Sequence, residues 1–265
     1  VLEMVNYVCF GYNKKKILKK LQKPFNIKKE VSIILPTYNE EKNIGKLVLE
    51  LRREFKGTNY EIVILDDNSK DKTPKIIDKL AKSGDVLAIH RYDKKGYFSA
   101  YQDAIFMANG DYVITMDSDL SHPPKIARSF LNYKDKYDIV SGSRYMKDGG
   151  MEAPFSRKYG SMWLNKICIW IMGLRLTDIA GDFHLMRKDK FMELDFKYEP
   201  VFGEFDFELL YGATKKGFKI KEIPFVYKFR KEGESAMGSG ANDSLKLVKF
   251  AWAYLKMALR LRFER

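Results

Sequence analysis

The chain has 265 residues, 45% hydrophobic and 31% charged, with a formal net charge of +13. That balance excludes a disordered chain, and two cysteines (Cys9 and Cys168) exclude a disulfide framework or a structural zinc cluster. No apolar run reaches the roughly 18 residues of a membrane span: the closest, 163–174, is too short and contains Lys166.

The charge is unevenly placed. Residues 1–30 carry eight lysines and two glutamates and read as a basic amphipathic arm, with Leu2, Val5 and Val8 ahead of KKKILKKLQK. A secretory leader would place the basic cluster first. Residues 31–241 are nearly balanced and read as a single domain, whereas residues 242–265 form a second basic segment. A nucleic-acid reader would carry its basic charge on the domain itself. Basic tails rich in Leu, Phe, Trp and Tyr point instead to an anionic membrane surface, and no nucleic acid is expected.

Within the domain, strands and helices alternate. Val31–Leu35 is a short apolar run closed by Pro36, as expected of a buried parallel strand. Ile44, Leu47, Val48 and Leu51 recur at helical spacing. Residues 60–67 (YEIVILDD) form a second strand. A helix is predicted over 73–81, with Thr73 as its N-cap and Pro74 in its first turn. Strands at 86–92, 111–119 and 138–145 and a helix at 99–108 follow. Beyond residue 150 the pattern supports a helix near 156–173, a strand near 219–224 and a helix from 243 onward. The alternation predicts an α/β fold with a mostly parallel sheet, whose ligand sits beyond the carboxyl ends of the strands.

The chemistry-bearing residues stand at those ends: PTYNE (36–40), Asp66-Asp67 and Asp117-Ser118-Asp119. Two carboxylates one residue apart at a strand end suit a hard divalent cation that shares a diphosphate. Glycine loops of dinucleotide enzymes and P-loop NTPases are absent, as is a G-x-S-x-G elbow. The three histidines lack metal-ligand spacing. His122 stands beside the DSD turn as a supporting residue, and His90 reads as structural.

Together, VSIILPTYNEEKNI, ILDDNSKDKT, MDSDLSHPP and IVSGSRY resemble glycosyltransferase family 2, and within it the dolichyl-phosphate mannose synthase and polyprenyl-phosphate glycosyltransferase group. The resemblance covers about residues 31–240. It implies a GT-A fold, a Rossmann-like sheet flanked by helices. It also implies an inverting hexosyl transfer, of mannose or glucose, from a GDP- or UDP-linked sugar to a polyprenyl (dolichyl) phosphate, with Mg²⁺ or Mn²⁺. Pro36, Tyr38 and Glu40 would line the nucleoside pocket, and Asp67 would contact the base. Asp117 and Asp119 would hold the metal and diphosphate, with Ser118 against the nucleotide. Arg144, Arg157 and Arg230 match positions that hold phosphate groups, Ser235 lies in the G-E-S segment of the acceptor site, and Glu208 matches an acidic position in the helix closing the site.

A phosphate monoester acceptor is largely dianionic near neutral pH and needs no general base; it needs arginines to hold it in line. A hydroxyl acceptor on a glycan or lipid would need a carboxylate base, with Asp206 and Glu208 as candidates. The chain departs from the family pattern in its second half: Ala236 follows Ser235, Ser161-Met162-Trp163 replaces Ser-Arg-Gly or Ser-Lys-Gly, and Asp182-Phe183-His184 replaces Gly-Phe-Arg. Residues 95–100 (KGYFSA) also differ from the common pattern. The terminal segment 244–263 places Lys246, Lys249, Lys256 and Arg260 on one stripe and Leu245, Val248, Trp252, Leu255 and Leu259 on another. It reads as an interfacial anchor, with packing on the domain or a membrane-spanning partner as the competing readings. The expected location is cytoplasmic, peripheral on the membrane's cytoplasmic face.

Overall fold

The structure, a computed structural model, describes residues 28–92, 96–198, 205–228 and 243–264. Residues 1–27 of the arm predicted over 1–30, Arg230 and Ser235 lie outside the described residues, and Lys29 and Glu30 belong to the first strand instead.

The apolar runs become strands of one seven-stranded sheet. β1 (Lys29–Thr37), β2 (Tyr60–Asp66), β3 (Val86–His90), β4 (Gly110–Thr115), β5 (Ile139–Ser143), β7 (His184–Arg187) and β8 (Ile220–Pro224) are ordered β3-β2-β1-β4-β7-β5-β8. β6 (Gly150–Met151) and β9 (Val226–Tyr227) pair separately. β1 pairs in parallel with β2 and β4 on either side, so its run is buried on both faces. Alternation sorts it: Ile33 and Leu35 pack into one core with Ile44, Leu47, Phe55 and Ile62, while Ile34 packs into the other with Val63, Tyr101, Ala104 and Phe205. Each such side chain contributes about 1.5–3 kcal/mol by leaving water.

The helices are α1 (Ile44–Glu54), α2 (Thr73–Ala81), α3 (Tyr97–Met107), α4 (Pro124–Phe130), α5 (Phe155–Met172), α6 (Lys188–Met192), α7 (Phe205–Lys215) and α8 (Asp243–Phe263). One local expectation is corrected. The Thr73 hydroxyl does not cap α2; it accepts the Glu40 N–H at 2.8 Å, and Asp71 Oδ1 accepts the Thr73 N–H at 2.9 Å instead. The hydroxyl is thereby used to tie the loop after β1 to α2.

β7 was not predicted, and it matters most for the site. It runs antiparallel between β4 and β5, with Thr115 and Ser141 both opposite His184. Its first residues therefore lie at the edge where the parallel strands end. α8 packs on α5 and α7 and buries Phe250, Met257, Ala258 and Leu261, with Tyr254 against Phe207 at 4.9 Å. Val248, Trp252, Leu259 and Phe263 remain exposed. The helix thus has two apolar faces, one of them docked on the domain.

Candidate active site

Parallel pairing brings the carboxyl ends of β1, β2, β4 and β5 to one edge, and each predicted motif follows one of those ends. After β1, Tyr38 is 41% exposed, whereas Pro36 and Glu40 are buried. Asn39 and Asn68 both adopt positive φ (56° and 64°), which asparagine tolerates. Their loops interlock: the Asn39 N–H donates to Ser69 Oγ at 2.9 Å, and the Lys70 N–H donates to Asn39 Oδ1 at 2.8 Å. Asn43 Nδ2 donates to the Glu40 carboxylate at 2.7 Å.

Asp67, expected at the base, is paired with an arginine that sequence reasoning missed. Arg91, just past β3, donates from Nε to Asp67 Oδ1 at 2.9 Å and also binds Ser99, Asp103 and the Gly96 carbonyl. His90 is structural as expected, bridging Asp66 and Asp78 at 3.4 and 3.0 Å. The Asp66 bond, offset by burial and aided by Asp78, holds the His90 imidazole above its usual pKa.

The DSD turn leaves β4 after Thr115. Ser118 Oγ donates to the Pro36 carbonyl at 3.0 Å, joining the turn to β1. Asp119 Oδ1 accepts the Ser121 N–H at 2.9 Å, and Leu120 takes a φ of 68°. Tyr97, at the start of α3, donates its hydroxyl to Asp117 Oδ1 at 2.5 Å. His122 supports the turn as expected: its Nδ1 accepts the Asp117 N–H at 2.9 Å. That ring is fully buried and stacks on Phe183 at 4.6 Å; burial, only partly offset by Asp119, lowers its pKa to about 4 and keeps it neutral.

Arg144 follows β5 and was expected to hold phosphate. Its Nε and Nη2 donate to the two oxygens of buried Asp178 at 2.7 and 2.8 Å, and Nη2 also reaches the Ala180 carbonyl. Burial opposes this charge, but Asp178 outweighs it and raises the guanidinium pKa further. Gly142 of the same segment is required by packing, because a Cβ there would meet Phe183 at 2.7 Å. Arg157 is half-buried in the first turn of α5, four residues before Ser161, which bonds Tyr145 at 2.8 Å. One helical turn thus carries Arg157 toward the Arg144 segment.

Residues 32–195 match the family described as "Glycosyl transferase family 2", more than half of the chain. The chain belongs to glycosyl transferase family 2. A dolichol-phosphate mannosyltransferase of Pyrococcus furiosus is 34% identical over 216 residues, covering 78% of this chain and 59% of that relative's length. A polyprenol monophosphomannose synthase of Mycolicibacterium smegmatis is 29% identical over 241 residues, covering 88% of each. The fold is GT-A. Glucosyl-3-phosphoglycerate synthase from Mycobacterium tuberculosis, solved with Mn²⁺, UDP and glucosyl-3-phosphoglycerate, superposes with a TM-score of 0.61 at 15% identity, over 87% of this chain and 80% of that one. Among the described residues no helix is long and apolar enough to cross a membrane.

The family 2 site has a second layer that the sequence left undivided. Asp206 and Glu208 lie two residues apart on α7, about 200° around the helix axis. Asp206 faces the sheet: it accepts from His184 Nε2 at 2.8 Å and from the Asp182 N–H. Burial raises the Asp206 pKa, but these partners outweigh it and leave it below the usual range. Glu208 instead accepts the Lys197 and Tyr198 amides at 2.6 and 3.4 Å and anchors the loop after α6. Burial, then the charges of Asp206 and Asp117, hold the Asp182 carboxyl well above the ordinary range.

Among the described residues, the buried side-chain polar atoms without a hydrogen-bond partner are Ser121 Oγ, His122 Nε2, Asp182 Oδ1 and His184 Nδ1. All four flank the DSD turn. Such atoms are rare inside proteins and are accounted for by strain, a catalytic role, or a water or ion. Asp117 and Asp119 supply carboxylate oxygens at the turn, hard donors of the kind that Mg²⁺ or Mn²⁺ takes. No group of three or more His, Cys, Asp or Glu side chains gathers as a cage among the described residues.

Proposed function

We propose that this chain transfers a hexose from a nucleotide diphosphosugar to a lipid phosphate at a membrane surface, with mannose and a polyprenyl phosphate as the first substrates to test. The observation that carries the reading is the DSD turn, tied by Ser118 to the end of β1 and flanked by unpartnered buried polar atoms. The names of the two relatives support the same chemistry.

Tyr38 offers an exposed ring for the base, beside the turn fixed by Glu40 and Asp67. Asp117 and Asp119 would hold Mg²⁺ or Mn²⁺, which supplies positive charge to the leaving diphosphate. Tyr97 and His122 hold the Asp117 side chain and backbone. Arg157 would orient the incoming phosphate, beside an Arg144 that Asp178 already engages. A single in-line displacement at the anomeric carbon inverts its configuration.

The acceptor question turns on the two α7 carboxylates. A hydroxyl acceptor needs one of them as a base, yet Asp206 is engaged by His184 and the Asp182 amide, and Glu208 by two amides. A phosphate acceptor needs neither. Arg157→Ala is therefore expected to lower transfer to polyprenyl phosphate by about 10–100-fold, the worth of a charge-assisted bond. Glu208→Gln is expected to keep transfer within about threefold. Loss with Glu208→Gln and indifference to Arg157→Ala would favour the hydroxyl acceptor.

Exposed aromatic residues support the membrane surface. α5 presents Phe155, Tyr159, Trp163, Ile167 and Trp170 along one stripe, and Trp170 is 82% exposed. The neighbouring α8 exposes Val248, Trp252, Leu259 and Phe263. α5 carries no acidic residue, and Lys158, Lys166, Lys249, Lys256 and Arg262 accompany these stripes. Aromatic rings among lysines and arginines suit an anionic interface on the cytoplasmic side, where such lipids concentrate. Changing Trp163, Trp170 and Trp252 together to Glu is expected to abolish sedimentation with phosphatidylglycerol vesicles while leaving the thermal melt in place. Unchanged sedimentation would contradict the membrane assignment.

A further inference from the structure

We propose that Asp182 reads the transferred sugar, its carboxyl taking a hydroxyl of the donor's hexose, with Asp206 and His184 as the residues that position it. The inference rests on the donor chemistry proposed above and names a contact within that site.

Topology brings Asp182 there. β7 is antiparallel, so the residue two positions before His184 lies at the edge where β4 ends in the DSD turn. Asp182 adopts a φ of 48°, a conformation that non-glycine residues avoid and that clusters at functional sites. The surroundings hold it there. Its N–H donates to Asp206, and Asp206 is in turn fixed by His184, whose own N–H donates to Thr115 Oγ1 at 3.2 Å. Asp206 and His184 are 0% and 1% exposed, so this support is rigid.

The side chain held this way is incomplete. Asp182 Oδ1 is buried without a hydrogen-bond partner, as is His184 Nδ1. Asp182 lies within electrostatic reach of Asp117 and Tyr97, the pair at the DSD turn. What could complete it is constrained by its neighbours. With the donor's phosphates placed on the cation at Asp117 and Asp119, its sugar is the part that would reach Asp182. A hexose carries neutral hydroxyls that both donate and accept, so it satisfies Asp182 in either protonation state and can donate to His184 Nδ1.

The test is calorimetric titration of the full chain with Mn²⁺ present, using GDP-mannose against GDP and UDP-glucose against UDP. The variants are Asp182→Gly, which suits the positive φ and removes only the side chain, and Asp182→Asn, which keeps its shape and hydrogen bonding. For whichever donor the wild type binds, D182G is expected to weaken the nucleotide sugar about tenfold, the worth of one buried hydrogen bond to the ligand. The matching nucleoside diphosphate should stay within about twofold, and D182N within about threefold for both ligands. Equal weakening of sugar and diphosphate by D182G would mean a structural or metal-holding role and would overturn the proposal. So would no weakening at all. A wild-type chain that binds neither nucleotide sugar would overturn the donor reading itself, and this contact with it.

Discussion

Asp119→Ala is expected to lower sugar transfer by about 10²–10³-fold, the usual loss when one preorganised group that stabilises developing charge is removed. The reason lies in where the side chain sits. Asp119 is buried, its Oδ1 shapes the turn through the Ser121 amide, and the turn is fastened to β1 through Ser118. The carboxylate is thus held at the strand edge before any ligand arrives. The same variant should lose the Mn²⁺ dependence of nucleoside diphosphate binding. Titration of UDP and GDP with and without Mn²⁺ reads that loss directly. Because Asp119 lies in a turn outside the two apolar cores, the melting temperature should move little. A variant that melts like the wild type and still transfers sugar at the wild-type rate would remove Asp119 from the mechanism.

Asp178→Ala has the largest expected effect on stability. Arg144 is buried, and Asp178 supplies both oxygens to its guanidinium as well as accepting its backbone N–H at 2.9 Å. Removing the carboxylate leaves a charge that always stays ionised in a buried position, and breaking such a pair costs about 3–5 kcal/mol. For a domain of this size the melting temperature should fall by roughly 10 °C. Differential scanning fluorimetry checks it. A fall of 2 °C or less would mean that water or another group takes over the pairing, and Arg144 would return to consideration as a phosphate ligand.

That pair also illustrates what a sequence conceals. GSRY reads as a cation presented at a strand end, because its partner is none of the acids near it in sequence (Asp138, Asp148, Glu152) but Asp178, 34 residues further on. The long central strands were legible because continuous Val, Ile and Leu runs have few alternatives to a doubly covered parallel sheet. β7 has four residues, lies between Phe183 and Lys188, and owes its place to pairing with β4, 69 residues earlier at Thr115. No local periodicity encodes that. The D-x-D pair is placed by something other than strand alternation, which would send two such side chains to the same face along a continuing strand. The strand stops at Thr115, and the turn with its left-handed Leu120 sets the carboxylates. Asp206 and Glu208 could not be told apart from spacing alone, and α7 resolves them by turning one toward His184 and the other toward the Lys197 amide.

The central claim is transfer from a nucleotide sugar to a lipid phosphate, and its most direct test is a labelling reaction. Radiolabelled GDP-mannose, UDP-glucose and UDP-N-acetylglucosamine would each be incubated with the chain, Mg²⁺ or Mn²⁺ and polyprenyl phosphate, with Asp119→Ala as the blank. The account predicts label in the organic phase from one donor, released by mild acid as expected of a sugar phosphodiester, and none with the blank. Donor binding without any labelled lipid would contradict it and move the acceptor to a hydroxyl.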